Sequence, residues 1–359
     1  MEIGLFLGYW PWFTPEEQFE YAVLADRLGL DSVWISEAWG QDAVSMLGSL
    51  TARTEKVALG SGLMQIPARQ PTATAMAAMT LDVLSHGRFR LGLGLSGPQV
   101  SEGWYGVPFS KPVTRTREYI EIVRKALDGE KVTADGEFWT LPLPEDQGMG
   151  LGKPLRMLGR PAKEHIPIYL GAIGPKAVEQ VGAIADGWLP FMYSPKDPSI
   201  LRDPLVRGAE SAGRSITDIR IASSAAVAVA DTQREAREAV KPWLVFYLGA
   251  MGAKAKNFYV DLADMYGFGD SARECQDRFL AGDRLGAADA LTDELIDAVS
   301  ICVTPDQLEA RVAEYEEIGS NELICIPCGD AAGKDRTICL LYTSPSPRDL
   351  STSRMPSSA

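Results

Sequence analysis

The chain has 359 residues, of which 46% are hydrophobic and 23% charged, a balance that describes an ordinary globular protein able to bury a sizeable core. Its formal net charge of −13 argues against nucleic acid as a partner, because phosphate binding needs a basic face. No apolar run approaches the roughly 20 residues of a membrane span, and the opening MEIGLFLGYW lacks a basic leader region, so a cytoplasmic enzyme with no membrane partner is expected.

Ile3, Leu5 and Leu7 start a first strand, and Thr14-Pro15-Glu16-Glu17 then supplies a capping residue with proline at the first helical position, for a helix that stops near Gly29. Val33 to Ser36 reads as the second strand, Ala43 to Arg53 as the second helix and Val57 to Leu63 as the third strand. Pro71 opens a third helix, in which Met76, Met79 and Val83 at helical spacing read as core packing rather than as soft metal ligands. Phe89, Leu91, Leu93 and Leu95 alternate as a fourth strand that breaks at Ser96-Gly97-Pro98, with Glu102, Trp104 and Tyr105 following on a loop.

Pro112 opens a helix ending at Gly129, and the alternation from Lys131 to Leu143 around Asp135-Gly136 predicts an inserted hairpin. A Pro/Gly-rich link leads to a fifth strand at Ile168 to Leu170, a helix from Pro175 to Ala185, a sixth strand at Gly187 to Phe191 and a seventh at Ile219 to Val229. Asp231 to Ser300 is helical in pattern, Pro305 to Ile318 is a further helix, and Leu323 to Ile326 is an eighth strand. Alternation of this kind predicts parallel pairing through right-handed crossovers, and the strand count points to a (β/α)8 TIM barrel. The barrel is expected over residues 1–329. Residues 330–359 turn Ser/Pro/Arg-rich without helical periodicity and read as a non-native-looking tail, so the closing helix is expected to be truncated or missing.

Five cysteines lie late in the chain, and Cys325 with Cys328 forms a C-x-x-C. No second pair stands at ligand spacing, and Cys325 falls inside an apolar strand pattern, so no metal site is expected.

The segments DSVWISEAWG, TEKVALGSGLMQIPAR, GRFRLGLGLSGPQVSEGWYG, LGAIGPKAVE and ADGWLP, in this order, each run from or into a strand end, and they resemble the bacterial luciferase-like superfamily in its deazaflavin-dependent branch. The resemblance covers about the first nine-tenths of the chain. It implies an oxidoreductase that passes a hydride between coenzyme F420 and a small organic substrate. An enzyme using FMN and oxygen as a monooxygenase and a non-catalytic flavin-binding protein are the alternatives. A homodimer or higher homo-oligomer is implied as well.

A flavin or deazaflavin ring is flat, with one polar edge best met by backbone groups on small-residue turns. Ser61-Gly62, Ser96-Gly97 and Gly171-Ala172 offer such turns, and Gly62, Gly97 and Gly174 are expected to share one cavity. In the family a bulge, often with a non-prolyl cis peptide, follows the third strand, which carries over to Ser61-Gly62. Gly174, Pro175 and Lys176 precede a helix whose free amides would attract the cofactor phosphate. The link residues Lys153, Arg156, Arg160 and Lys163 would suit the polyanionic tail of the deazaflavin, or form a solvated loop.

The family's luciferases and sugar-phosphate dehydrogenases carry a histidine after the second strand, where this chain has Ala38-Trp39. Both histidines, His86 and His165, fall at the opposite face of the barrel from the chemistry. Glu37 and Glu102 are therefore the acid–base candidates, although either could serve only to bind a backbone amide or an arginine such as Arg117. Tyr9, Trp39 and Trp104 would wall a pocket for an apolar or unsaturated substrate.

Overall fold

The strand ends, where the candidates fall, are ordered by a closed ring of pairings. The computed structural model describes residues 1–10 and 12–343. Its barrel strands are β1 (Glu2–Leu7), β2 (Ser32–Ile35), β3 (Ala58–Ser61), β4 (Phe89–Gly94), β5 (Ile168–Leu170), β6 (Gly187–Trp188), β7 (Arg220–Val229) and β8 (Glu322–Pro327). All neighbouring pairs are parallel. Closure runs through Ile3↔Leu323 between β1 and β8 and Ile221↔Trp188 between β7 and β6.

The strands form where apolar residues follow one another without a solvent face, since a barrel strand is covered by helices outside and by packed side chains inside. Leu5, Leu7, Val33, Ile35, Leu59, Leu91 and Ile168 are fully buried. Helices start where the sequence marks them: at Pro15–Leu28 the Thr14 hydroxyl accepts from the Glu17 amide while Glu17 accepts from the Thr14 amide, a complete capping box.

The barrel floor is closed by charge rather than by carbon. Glu322, fully buried on β8, accepts from Arg90 at 2.6 Å and from the Trp34 indole at 3.0 Å, with Ser32 also bonded to it. Arg90 and Arg220 both reach Glu2 as well. Each of these partners donates to Glu322, as a buried carboxylate requires. The floor leaves only the opposite end, where the strands finish, open to a ligand.

Several expectations are corrected. Residues Ala331–Thr343 form a helix packed on β7 and β8, where the sequence reading expected a truncated or missing one. Its inward positions mix polar and apolar groups: Lys334 donates to the Trp12 carbonyl at 2.7 Å, the Thr337 hydroxyl accepts from Val229, and Ile338 and Leu341 are buried. That mixture hides the helical period from a hydrophobicity pattern. The reading of 330–359 as a tail is thus replaced over 331–343, and residues 344–359 lie outside the described residues. Ser199–Ser211 forms a helix and Ser300–Val303 a strand paired with the end of β7, neither of which was expected. Residues Pro98–Gly103, expected as loop, form a short helix. The inserted hairpin pairs Asp135 with Thr140.

No helix among the described residues is long and apolar enough to cross a membrane. Among them no group of three or more histidine, cysteine, aspartate and glutamate side chains is placed to hold a metal ion. Cys325 within β8 and Cys328 just after it are both buried thiols, and burial pushes their pKa up.

Candidate active site

Seven of the barrel strands contribute to one cavity of about 130 Å³ at the end where the strands finish. Phe6, Trp34, Gly62, Gly94, Leu189, Ser224 and Ile324 are the contributions of β1, β2, β3, β4, β6, β7 and β8 or the residues just after them. The floor is Leu63. A Cβ on Gly94 would stand 2.6 Å from its Cδ1, and one on Gly171, at the end of β5, only 2.3 Å, so both strands must carry glycine for Leu63 to seat. The peptide bond Gly62–Leu63 is cis, one residue beyond the expected Ser61-Gly62.

One edge of the cavity is polar and fixed. The Gln65 side chain donates to the Ser96 hydroxyl at 3.1 Å and accepts from the Tyr105 hydroxyl at 2.7 Å, so its orientation is set from both ends. Ser96 holds a left-handed backbone with φ of 61°, a conformation that a non-glycine residue adopts only where its surroundings enforce it. The Gln65 amide donates to Glu37 at 2.8 Å.

Glu37 is buried and its lone pairs are occupied. Arg69 meets it through two nitrogens, at 2.7 and 2.5 Å, and the Ala43 amide adds a longer bond at 3.3 Å. Arg69 also bridges to Asp42. Burial alone would lower the Arg69 pKa, but Glu37 and Asp42 outweigh it and hold the guanidinium above its usual range. Asp42, whose burial works against its charge, is held below the usual carboxylate range by bonds from Ser45 and by Arg69. A carboxylate so engaged positions the turn after β3. Both kinds of partner named for Glu37 are present, backbone amides from Gln65 and Ala43 and an arginine, which is Arg69; Arg117 lies exposed beside Glu121.

The opposite wall is aromatic. Tyr9 and Tyr247 place their hydroxyls 3.1 Å apart, Tyr247 packs edge-on against Tyr259, and Trp243 stacks behind Tyr9 with rings 14° from parallel. Burial raises the pKa of Tyr9, Tyr247 and Tyr259, so all three remain protonated donors at neutral pH. Tyr247 lies in the π-helical turn Phe246–Ala250, and Gln99 ties that segment to the strand-four side by donating to the Met251 carbonyl. The Gln99 side-chain oxygen, Oε1, is buried with no hydrogen-bond partner.

The sequence candidates divide accordingly. Tyr9, Glu37, Gly62 and Ser96 line the cavity, and Gly171 supports its floor. Ser61 instead clamps β3 to β4, exchanging two 2.9 Å bonds with Gly92. Gly97 caps the Pro98–Gly103 helix, and Gly174 caps Pro175–Ile184 with no side-chain bond, with Pro175 and Lys176 opening that helix; none of these lines the cavity, so the expected sharing by Gly62, Gly97 and Gly174 holds for Gly62 alone. Glu102 is exposed and accepts from the Phe109 amide at 3.0 Å, and Trp104 is 63% exposed; neither lines the cavity. Trp39 lines a second cavity beside the first. The basic link is also displaced. Arg160 bonds the Asp128 carbonyl past the Pro112–Leu127 helix and the Lys163 amide bonds Asp82, both at the floor end, which removes the polyanion argument.

Sequence reasoning missed Gln65, Arg69, Tyr247 and Tyr259. The MQIPAR run after the third strand held the first two in plain view, two polar groups in an apolar turn; Tyr247 and Tyr259 sat in a stretch read only as helix.

A flat ring with a polar edge fits these residues: an apolar floor made by Leu63 and a donor and acceptor edge at Gln65 and Ser96.

The family profile described as luciferase-like monooxygenase matches residues 1–322. A Mycobacterium tuberculosis protein provisionally named a coenzyme F420-dependent oxidoreductase is 42% identical over 327 residues, 90% of this chain and 94% of its own. The 5,10-methylenetetrahydromethanopterin reductase of Methanolobus tindarius is 31% identical, over 85% of this chain and 88% of its own. Among solved structures, the coenzyme F420-dependent tetrahydromethanopterin reductase of Methanopyrus kandleri superposes with a TM-score of 0.79 at 24% identity, covering 96% of this chain and 98% of its own, a likeness of fold.

Proposed function

The chain belongs to the luciferase-like monooxygenase family, and from that premise we propose that it is a coenzyme F420-dependent oxidoreductase acting on a small organic substrate. The observation that carries the reading is the slot whose floor, Leu63, is seated on Gly94 and Gly171 and whose edge is set by Gln65 and Ser96. When bound there, the deazaflavin would supply or accept the hydride. Gly62, Leu63, Gln65 and Ser96 would hold the ring, and the uncapped helix start at Gly174-Pro175-Lys176 its phosphate.

The protein's own part is position and hydrogen bonding. Tyr9 and Tyr247 face the slot where a substrate oxygen would lie, and since one hydroxyl proton is used in the bond between them, the other is free to be donated to that oxygen. Glu37 and Arg69 keep the Gln65 turn in place without moving a proton themselves. The closed ionic floor and the aromatic wall exclude water from one side each.

Titration of the purified protein with oxidised F420 and, separately, with FMN, followed by the fluorescence of each ring, tests the assignment. Saturable binding of F420 in preference to FMN is expected. Tight FMN binding with none of F420 would overturn it in favour of a flavin enzyme.

A further inference from the structure

Behind Tyr9 and the Phe246–Ala250 turn lies a second cavity, of about 720 Å³, several times the volume of the slot and within the range of roughly 300–1,000 Å³ that small-molecule sites occupy. The two share Tyr9, and sequence neighbours face one each: Tyr247 and Met251 the slot, Phe246 and Ala250 the chamber. The chamber is lined by Trp10, Trp12, Trp39, Phe246 and Phe279, with Leu285 at its edge.

Three of these residues are left open to solvent against the usual preference. Trp10 is 43% exposed, Trp39 40% and Leu285 83%. Single exposed apolar residues are unremarkable, but three around one concavity next to a reaction slot mark a ligand mouth. The charged lining is sparse. Lys241 is already paired with Glu238 at 2.6 Å, and the Arg284 guanidinium stands 5.5 Å from the centre of the Phe279 ring. A multiply charged sugar phosphate would find one engaged cation and one exposed cation here. A flat apolar ring system would find aromatic faces on several sides.

We infer that this chamber is the substrate site and that the substrate class is a bulky, ring-bearing apolar compound carrying at most one negative charge. The inference rests on the proposed function for the adjoining slot, since it is Tyr9, common to both, that would bring a reactive oxygen of such a compound to the ring. Trp39 and Phe246 set which ring systems enter, by stacking, and Ala288, small and in the lining, leaves the depth needed to admit them.

The test uses the intact protein and the probe 1-anilinonaphthalene-8-sulfonate, an aromatic compound with one negative charge. One probe per chain is expected, with quenching of tryptophan fluorescence, and glucose 6-phosphate should not displace it. Ala288→Trp, which fills the chamber, should weaken the probe at least tenfold while F420 binding to the slot, read by F420 fluorescence, is unchanged. Leu285→Asp, at the exposed mouth, should also weaken the probe and serves if Ala288→Trp fails to fold by circular dichroism. Equal probe binding to wild type and to a folded variant, displacement by glucose 6-phosphate, or no probe binding at all would overturn the chamber assignment. Loss of F420 binding by the wild type would instead refute the reading of the slot, so the two failures are told apart.

Discussion

Removing Arg69 isolates the claim that Glu37 anchors rather than reacts. In Arg69→Met the Glu37 carboxylate stays buried with only the Gln65 amide at 2.8 Å and the Ala43 amide at 3.3 Å to satisfy it. Breaking a buried pair from one side costs about 3–5 kcal/mol, but the Arg69 side chain is 18% accessible, and water entering beside it reduces the expectation to about 2–3 kcal/mol. With an m-value of about 3 kcal/mol/M for a chain of this size, the urea midpoint should fall by about 1 M. Glu37→Gln, which removes the charge but keeps one acceptor, should cost about 1–2 kcal/mol. The double variant should lose less than the sum, because neither charge is then stranded. An acid–base role makes the opposite pattern: Glu37→Gln would lower kcat by roughly 10²-fold or more with its stability intact. That pattern, or an Arg69→Met midpoint equal to wild type, would refute the anchoring argument.

Gly171→Ala should weaken F420 binding at least tenfold in a fluorescence titration, because the added Cβ would lie 2.3 Å from Leu63 and displace the floor. Ile338→Ala should lower the urea midpoint by an amount worth about 2–4 kcal/mol, as expected of a fully buried side chain on the Ala331–Thr343 helix; no change would mean that this helix does not pack on the barrel. Trp104→Ala should leave both F420 affinity and stability within error, its ring being largely exposed. Alkaline stability should fall in a defined window: burial pushes Tyr119 and Tyr169 up to about 12 from the usual 10, so above about pH 10 the unfolded chain loses protons that the folded chain keeps. Buried thiols start the loss earlier, because burial pushes Cys275 and Cys302 up to about 12 from the usual 9 and raises Cys325 and Cys328 as well. Stability should therefore begin to fall near pH 9 and steepen above about pH 10, by about 1.4 kcal/mol per pH unit for each buried thiol or tyrosine that ionises only in the unfolded chain, measured as urea midpoints from about pH 7 to about pH 11.

The barrel was legible because its signals are local. Strand periodicity, Thr14-Pro15 and the Asp135-Gly136 hairpin each depend on residues within a turn or two of one another, and the structure places a strand, a capped helix and a hairpin at those points. The luciferase-like segments likewise placed Gly62 and Ser96 in the cavity. What failed depended on partners far along the chain. Glu37 looked like a free carboxylate until Arg69 was brought to it across 32 residues, and Ser61 looked like a ligand residue until Gly92 faced it across the sheet. The basic link misled for the same reason: four like charges in a row say nothing of which end of the barrel they reach. The closing helix was hidden by Lys334 and Thr337, polar groups whose partners, Trp12 and Val229, no window of sequence contains.

Floor and wall of the slot are mounted independently, and that separation has a consequence for how such a protein changes substrate. The floor is backbone on barrel strands with no spare volume: a Cβ at Gly92 would stand 1.9 Å from the Ser61 carbonyl oxygen, and those at Gly94 and Gly171 would strike Leu63. The wall of Tyr247, Met251 and Tyr259 comes instead from the excursion between β7 and β8 and is held by a few local bonds. Asn257 donates to the Leu248 carbonyl at 2.7 Å and accepts from the Tyr259 amide at 2.9 Å, while Gln99 bonds Met251 from outside. Substitutions in the excursion can therefore reshape the face toward a substrate while the ring cradle keeps its geometry, whereas a single added methyl on the strand side disturbs the cradle itself. In a barrel of this design, cofactor choice is bound to the strands that the fold needs, and substrate choice is left to the segment that the barrel does not need in order to close.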